Sequence, residues 1–177
     1  MTATIPPILA PHVPGTRIHM TFAPGKKGNG AWSGIVHNRD LGQDLTRLRD
    51  VYGTTHLITL MEDFELRQWH IPDLSAETRQ HGLHHLHFPI VDGSIPDDVP
   101  AFREFVQQLK ELYQQGATFT IHCLGGLGRT GLLAAILLQE LHGFEPAQSV
   151  KAVREARPGT IERDEQEVFV LNWKPVP

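Results

Sequence analysis

Apolar side chains alternate at Ile18, Met20 and Phe22, which predicts a strand over 17–22. The segment after it, APGKKGNGAWSG, is rich in glycine and reads as a loop ending near Arg39. Asp40 suits a helix N-cap, and Leu41, Leu45, Leu48 and Val51 follow at helical spacing up to Gly53. The β-branched and apolar run 55–60 predicts a buried strand, 62–69 and 75–80 short helices, and 83–88 another strand. The clearest helix covers 98–115, with Val99, Phe102, Phe105, Val106, Leu109, Leu112 and Tyr113 along one side and Gly116 placed to end it. A short strand over 117–122 leads to a helix over 130–141, and helices follow over 146–156 and 164–172. The helix from Thr130 is apolar nearly all round, so it is expected at the centre. Strands alternating with helices imply an α/β fold, a central and mainly parallel sheet flanked by helices on both faces. Four prolines in residues 1–17 predict an irregular N-terminal arm, leaving 18–177 as a single domain.

Composition narrows the function classes. A chain of 177 residues, 40% hydrophobic and 20% charged, can build a core and is not disordered throughout. Sixteen basic against twenty acidic side chains leave a charge of −4, which argues against a nucleic-acid partner. The apolar run 132–138 is far short of the ~18 residues that span a bilayer, so no membrane partner is expected. The start lacks the basic and apolar regions of a secretory signal. One cysteine allows no internal disulfide, and the protein is expected in the reducing cytoplasm.

That cysteine lies in His122-Cys123-Leu124-Gly125-Gly126-Leu127-Gly128-Arg129-Thr130-Gly131, between a strand and the central helix. Gly126, Gly128 and Gly131 match the spacing of a dinucleotide-binding turn, but that fold needs a second strand after the helix, and Gly143 and Pro146 lead into another helix instead. No Gly-Lys-Ser/Thr exists for a nucleoside-triphosphate loop. A purely structural reading would have glycines for a turn, an inert buried thiol and an arginine paired with some acid. Against it stands the spacing, an arginine six positions after the cysteine followed by a hydroxyl.

The residues favour a phosphate cradle with a thiolate inside it. A loop feeding a helix N-terminus turns unpaired N–H groups of Leu124, Gly125, Gly126, Leu127 and Gly128 toward one spot, where the helix dipole also favours negative charge. The same field favours the thiolate of Cys123. Arg129 can fork two hydrogen bonds onto phosphate oxygens, Thr130 can offer its hydroxyl to the departing sulfur, and His122 is placed to orient the loop rather than act as a base.

These residues resemble the His-Cys-x5-Arg-Ser/Thr signature of cysteine-dependent protein phosphatases, and the loop is very close to that of the cyclin-dependent-kinase-associated phosphatase group, a dual-specificity branch. The segment Phe88-Pro89-Ile90-Val91-Asp92-Gly93 with Pro96-Asp97 is similar to that group's general-acid loop. Arg157-Pro158-Gly159-Thr160-Ile161 with Gln166 resembles its segment carrying a water-positioning glutamine, and Asp63 to Leu66 with Ile71 to Leu74 resembles its early Glu-Leu region. The resemblance covers roughly 40–171. It implies a parallel sheet flanked by helices, a cysteinyl-phosphate intermediate, no metal and no other cofactor. It also implies a phosphorylated protein or peptide as substrate, with inorganic phosphate or vanadate as inhibitor. Two departures stand out. Glu162 and Asp164 make the stretch before Gln166 more acidic than in the group, and Leu124 and Leu127 stand where related lipid phosphatases carry lysines, which argues against inositol phospholipids.

Asp92 is then the candidate general acid, because the leaving oxygen must be protonated as its bond to phosphorus breaks. Asp97 and Asp98 open the amphipathic helix and are read as capping residues. His81, His84, His85 and His87 invite a metal site, but no cysteine or spaced carboxylate completes a tetrahedral set, so they are read as polar strand and loop positions. Lys26 and Lys27 are read as solvated surface charge rather than as groups attracting an anion. The expectation is a metal-independent phosphoprotein phosphatase with Cys123 as nucleophile. Its alternatives are a non-catalytic phosphate-binding module and a rhodanese-like sulfurtransferase.

Overall fold

Four strands lie side by side in one wholly parallel sheet, in the order β1-β6-β4-β5. They are β1 (Ile18–Thr21), β4 (His56–Thr59), β5 (His84–His87) and β6 (Phe119–His122). In the computed structural model, which describes residues 4–30 and 34–176, they are in register to the last residue. Thr21 pairs with His122, His122 with Thr59 and Thr59 with His87. All four strands therefore end along one line, and the loops that follow them meet there. In open parallel sheets this carboxyl edge is where ligands bind.

Side chains alternate across the sheet, and each face carries its own core. Ile58 and Leu60 join Ile18, Met20, Phe119 and Ile121 beneath α4 (Val99–Gln114), α5 (Gly128–His142), α6 (Pro146–Ala156) and α7 (Asp164–Leu171). Leu57 faces the other way, into a smaller cluster with Leu45, Leu48, Leu66 and Leu74 from α1 (Leu41–Asp50), α2 (Asp63–Gln68) and α3 (Leu74–Gln80). α5 is buried from Gly128 to Gln139, as expected of a helix with almost no polar face. It starts two residues earlier than its apolar run suggests, so Arg129 belongs to its first turn.

Two short strands were not legible in the glycine-rich loop. β2 (Lys27–Asn29) and β3 (Val36–Asn38) pair antiparallel as a separate ribbon. Its glycines and lack of apolar alternation hide it, and its support is tertiary: Lys27 N–H donates to the Trp69 carbonyl, and Arg39 N–H to that of Lys26. Positions 31–33 of that loop lie outside the described residues.

The irregular arm is firmly attached. From residue 4 to 17 there is no helix or strand beyond a single bridge between His12 and His19, yet Ile8, Ala10 and Val13 are buried. Arg39 and Arg47 donate to the carbonyls of Pro6 and Ile8, and Thr21 to that of Leu9. Prolines remove N–H donors but leave their carbonyls free to accept. The two capping aspartates also separate. Asp98 accepts from Ala101 N–H at 3.0 Å, whereas Asp97, one residue too early to reach that turn, stands exposed and caps nothing.

Candidate active site

Cys123 follows β6 directly and is buried at the carboxyl edge of the sheet. From here five successive carbonyls are held from outside the loop. That of Cys123 accepts from His122 Nδ1 at 3.0 Å, and that of Leu124 from Ala23 N–H at 3.0 Å. Those of Gly125 and Gly126 accept from Arg157 Nη2 and Nε at 2.9 and 2.8 Å. That of Leu127 accepts from the N–H groups of Gly131 and Ile161. In a trans peptide the N–H points opposite the carbonyl, so pinning these carbonyls outward turns the amides of residues 124–127 inward, whereas that of Gly128, expected among the phosphate donors, is taken by the Glu162 carboxylate. Among the described residues nothing accepts from the N–H of Leu124, Gly125, Gly126 or Leu127. Glycine is required at the centre of this loop. Gly126 has φ +74°, and a Cβ there would lie 2.2 Å from the Thr21 carbonyl oxygen.

Arg129 enters the site from the first turn of α5, 1% exposed. Its outer edge is taken by Glu65 of α2, with Nη1 and Nη2 at 2.8 and 2.9 Å from the two carboxylate oxygens. Nη1 also donates to the Ile90 carbonyl and Nη2 to Asp92 Oδ1 at 3.2 Å. Burial alone would lower the guanidinium pKa; Glu65, Cys123 and Asp92 outweigh it and raise it. The bidentate fork expected for phosphate therefore grips a carboxylate, because a buried cation needs a countercharge. What remains for an anion is Nε, a buried donor with no partner, together with the Nη2 hydrogen shared with Asp92. Glu65 was missed as a functional residue. Its only sequence signal is the Glu-Leu pair in the segment 63–66.

Thr130 Oγ1 donates to Cys123 Sγ at 3.1 Å. His122 does not touch the sulfur. Burial, opposed by the bond to the Cys123 carbonyl, pushes its imidazole down to about 3, so it is neutral at pH 7. A carbonyl can only accept, so the proton sits on Nδ1 and Nε2 accepts from Thr59 Oγ1 at 2.7 Å. Thr59 has one hydrogen to give, so it accepts in turn from His85 Nε2, also at 2.7 Å. His85 is itself pushed down to about 4, by burial first and then by His87 and Arg79. His85 and His122, joined through Thr59, thus form a neutral brace beneath the loop.

Asp92 stands on the loop between β5 and α4, its side chain 71% exposed and its carboxylate over Arg129. Gln166 is fully buried against the cradle, where a Cβ on Gly128 would come within 3.0 Å of its amide. Both ends of that amide are engaged, Oε1 accepting from Arg163 N–H and Nε2 donating to the Ser94 carbonyl. Glu162, from the same segment, accepts from Gly128 N–H at 3.0 Å and caps α5, whose own N-cap Leu127 has no side-chain acceptor. Lys26 is not the solvated charge expected. It is 8% exposed, its ammonium 3.4 Å from the Leu124 carbonyl oxygen and 4.8 Å from the Phe22 ring centre. Lys27 pairs within the β2–β3 ribbon and lines a separate cleft with Arg39, Asp40 and Glu77. Among the described residues no three His, Cys, Asp or Glu side chains converge as a metal site, and no helix is long and apolar enough to cross a membrane.

A family model, the Swiss Army Knife protein DSP-PTPase phosphatase domain, matches residues 35–170. Cyclin-dependent kinase inhibitor 3 of Mus musculus is 30% identical over 137 residues, which cover 77% of this chain and 64% of that protein. The chain thus spans just under two thirds of that relative's length. A probable protein tyrosine phosphatase type IVA A of Dictyostelium discoideum is 32% identical over 126 residues, 70% of this chain and 69% of its own. Among solved structures, kinase associated phosphatase with its catalytic-site cysteine changed to serine superposes with a TM-score of 0.81 at 25% identity, covering 94% of each chain. With a match that runs from the edge of the ribbon into the last helix, and so takes in every loop at the carboxyl edge except the first, the chain belongs to the DSP-PTPase phosphatase family.

Proposed function

We propose that this protein is a metal-independent phosphoprotein phosphatase, acting on phosphotyrosine, phosphoserine/threonine or both, in a reducing compartment such as the cytoplasm. One observation carries the reading: a single buried thiol sits at the start of a ring of inward amides with no protein acceptor, beside an arginine whose buried Nε is also unpartnered. A buried unpaired Nε beside a ring of unpaired amides calls for an acceptor, and a phosphate dianion supplies several.

The chemistry then runs in two steps. The Cys123 thiolate attacks phosphorus and the ester P–O bond breaks, Asp92 giving its proton to the leaving oxygen. The amides of 124–127 and Arg129 Nε meet the equatorial oxygens, and Nη2 turns from Asp92 to the phosphate. Water then attacks phosphorus, the S–P bond breaks, and the water proton passes to the Asp92 carboxylate. The Thr130 hydroxyl steadies the departing thiolate. Gln166 keeps its two present partners and still has one Nε2 hydrogen and one Oε1 lone pair with which to orient that water.

Cys123→Ser tests this. With an aryl phosphate, turnover should fall by more than about four orders of magnitude, while inorganic phosphate or vanadate still binds, because the amides and Arg129 remain. A variant keeping more than a few per cent of the wild-type rate overturns the covalent mechanism. A wild type that binds phosphate without turning over any ester is a binding module instead.

A further inference from the structure

Lys26 follows β1 into the same edge of the sheet as Cys123, and it is an unusual lysine. An ammonium carries three donors, and burying one without acceptors or a countercharge is costly. Lys26 is 8% exposed, yet its one hydrogen bond, to the Leu124 carbonyl, is long at 3.4 Å, and no carboxylate pairs with it among the described residues. The groups facing it are two arginines, a histidine whose pKa burial lowers, and the thiol. Arg39 shares the Phe22 ring and is already paired with Asp44, and His37 lies on β3. Arg157 is spent on the carbonyls of Gly125 and Gly126. The Asp44 carboxylate close by is spent on Arg39 and on Gly25 N–H, and the anion-forming group whose charge bears on Lys26 is Cys123. Its contact is also well chosen: drawing the Leu124 carbonyl outward, alongside Ala23 N–H, turns the next amide, that of Gly125, into the cradle.

We propose that Lys26 is a positioning residue of the phosphate cradle, supplying the positive charge that favours the Cys123 thiolate and an incoming phosphate while fixing the Leu124–Gly125 peptide with its N–H inward. This rests on the phosphatase reading above. Burial, with Arg39 and Arg157, lowers the ammonium to about 8, so it carries its charge at neutral pH and loses it above.

The test uses Lys26→Met, Lys26→Arg and, as control, Lys27→Met. Cys123 is the sole cysteine, so iodoacetamide labelling reads this thiol alone. In Lys26→Met, alkylation at neutral pH should slow about tenfold, its pH profile should move about one unit upward, and kcat/KM for an aryl phosphate should fall by a similar factor. Lys26→Arg should restore both, and Lys27→Met should match the wild type. Wild-type labelling in a folded Lys26→Met protein, with folding checked by circular dichroism, overturns the inference. Should that variant not fold, the alkaline limb decides. Above about pH 8 wild-type kcat/KM should fall more steeply than that of Lys26→Arg, which keeps its charge; coincident limbs overturn the inference. A wild type with no esterase turnover, but with labelling that still depends on Lys26, sinks the phosphatase reading and leaves the pairing of cation and thiol standing.

Discussion

The cradle and the acid loop lie side by side at the carboxyl edge of the sheet and are built in opposite ways. In the cradle the carbonyls of residues 123–127 are each held from outside, by groups drawn from four separate stretches of chain. The acid loop is tied at its entrance, where Ile90 N–H donates to the Leu60 carbonyl and the Ile90 carbonyl accepts from Arg129. Beyond that point its links are few. Asp92 makes one contact of 3.2 Å, and the Ser94 carbonyl accepts from Gln166 at 3.2 Å. Stabilising charge in a transition state calls for dipoles already aimed, whereas delivering a proton calls for a group that can change partners. The first region shows the investment the former requires, and the second shows the freedom the latter requires. Cradle substitutions should therefore affect folding and rate together, and acid-loop substitutions rate alone.

On stability the largest effect should come from Glu65→Ala. Removing one partner of a buried ion pair leaves the other uncompensated, at a cost of roughly 3–5 kcal/mol. Arg129 would keep only carbonyls and Asp92 as acceptors. Urea denaturation should show that loss, and kcat/KM should fall with it. Unchanged stability would mean that the guanidinium is held in place by something other than Glu65.

Asp92→Asn should behave in the opposite sense. Loss of a general acid costs about 10²–10⁴ in rate, most for a poor leaving group. Alkyl phosphates should slow far more than activated aryl phosphates. Stability should change by no more than about 0.5 kcal/mol, because the side chain is exposed and singly bonded. Asp97→Asn should leave both quantities alone; a leaving-group effect there instead would move the acid to Asp97.

The same contrast explains what could be read from the chain. Cys123, Arg129 and Thr130 fall within eight residues, so their chemistry is a local pattern, and the apolar wrap of α5 announces its central place. The parallel sheet follows from the alternation of elements. The supports of the cradle are another matter. Arg129 meets Glu65 across 64 positions, and Arg157 reaches Gly126 across 31, with nothing in either neighbourhood to mark the pairing. Lys26 in a glycine-rich stretch looks like any surface lysine until the fold buries it. The β2–β3 ribbon hides for the same reason, since its pairing leans on Trp69 rather than on its own pattern. Residues that react were legible, and residues that hold them still were mostly legible only in three dimensions.

The smallest effect separates the acid loop from the helix it runs into. Asp98 accepts from Ala101 N–H and caps α4, whose first turn contains a proline and no acidic residue to share that task. An aspartate cap replaced by alanine costs typically about 1 kcal/mol. Asp98→Ala should therefore lower the midpoint of urea unfolding modestly, while Asp97→Ala, removing an exposed side chain with no bond, should not. Because Asp98 anchors only the downstream end of the acid loop, its loss should reach turnover through Asp92 alone. Alkyl phosphates should then slow slightly more than aryl phosphates, and labelling of Cys123 should be unchanged. A change in Cys123 labelling on removing this cap would show that the cradle depends on the acid loop for its shape, and the two regions would have to be treated as one.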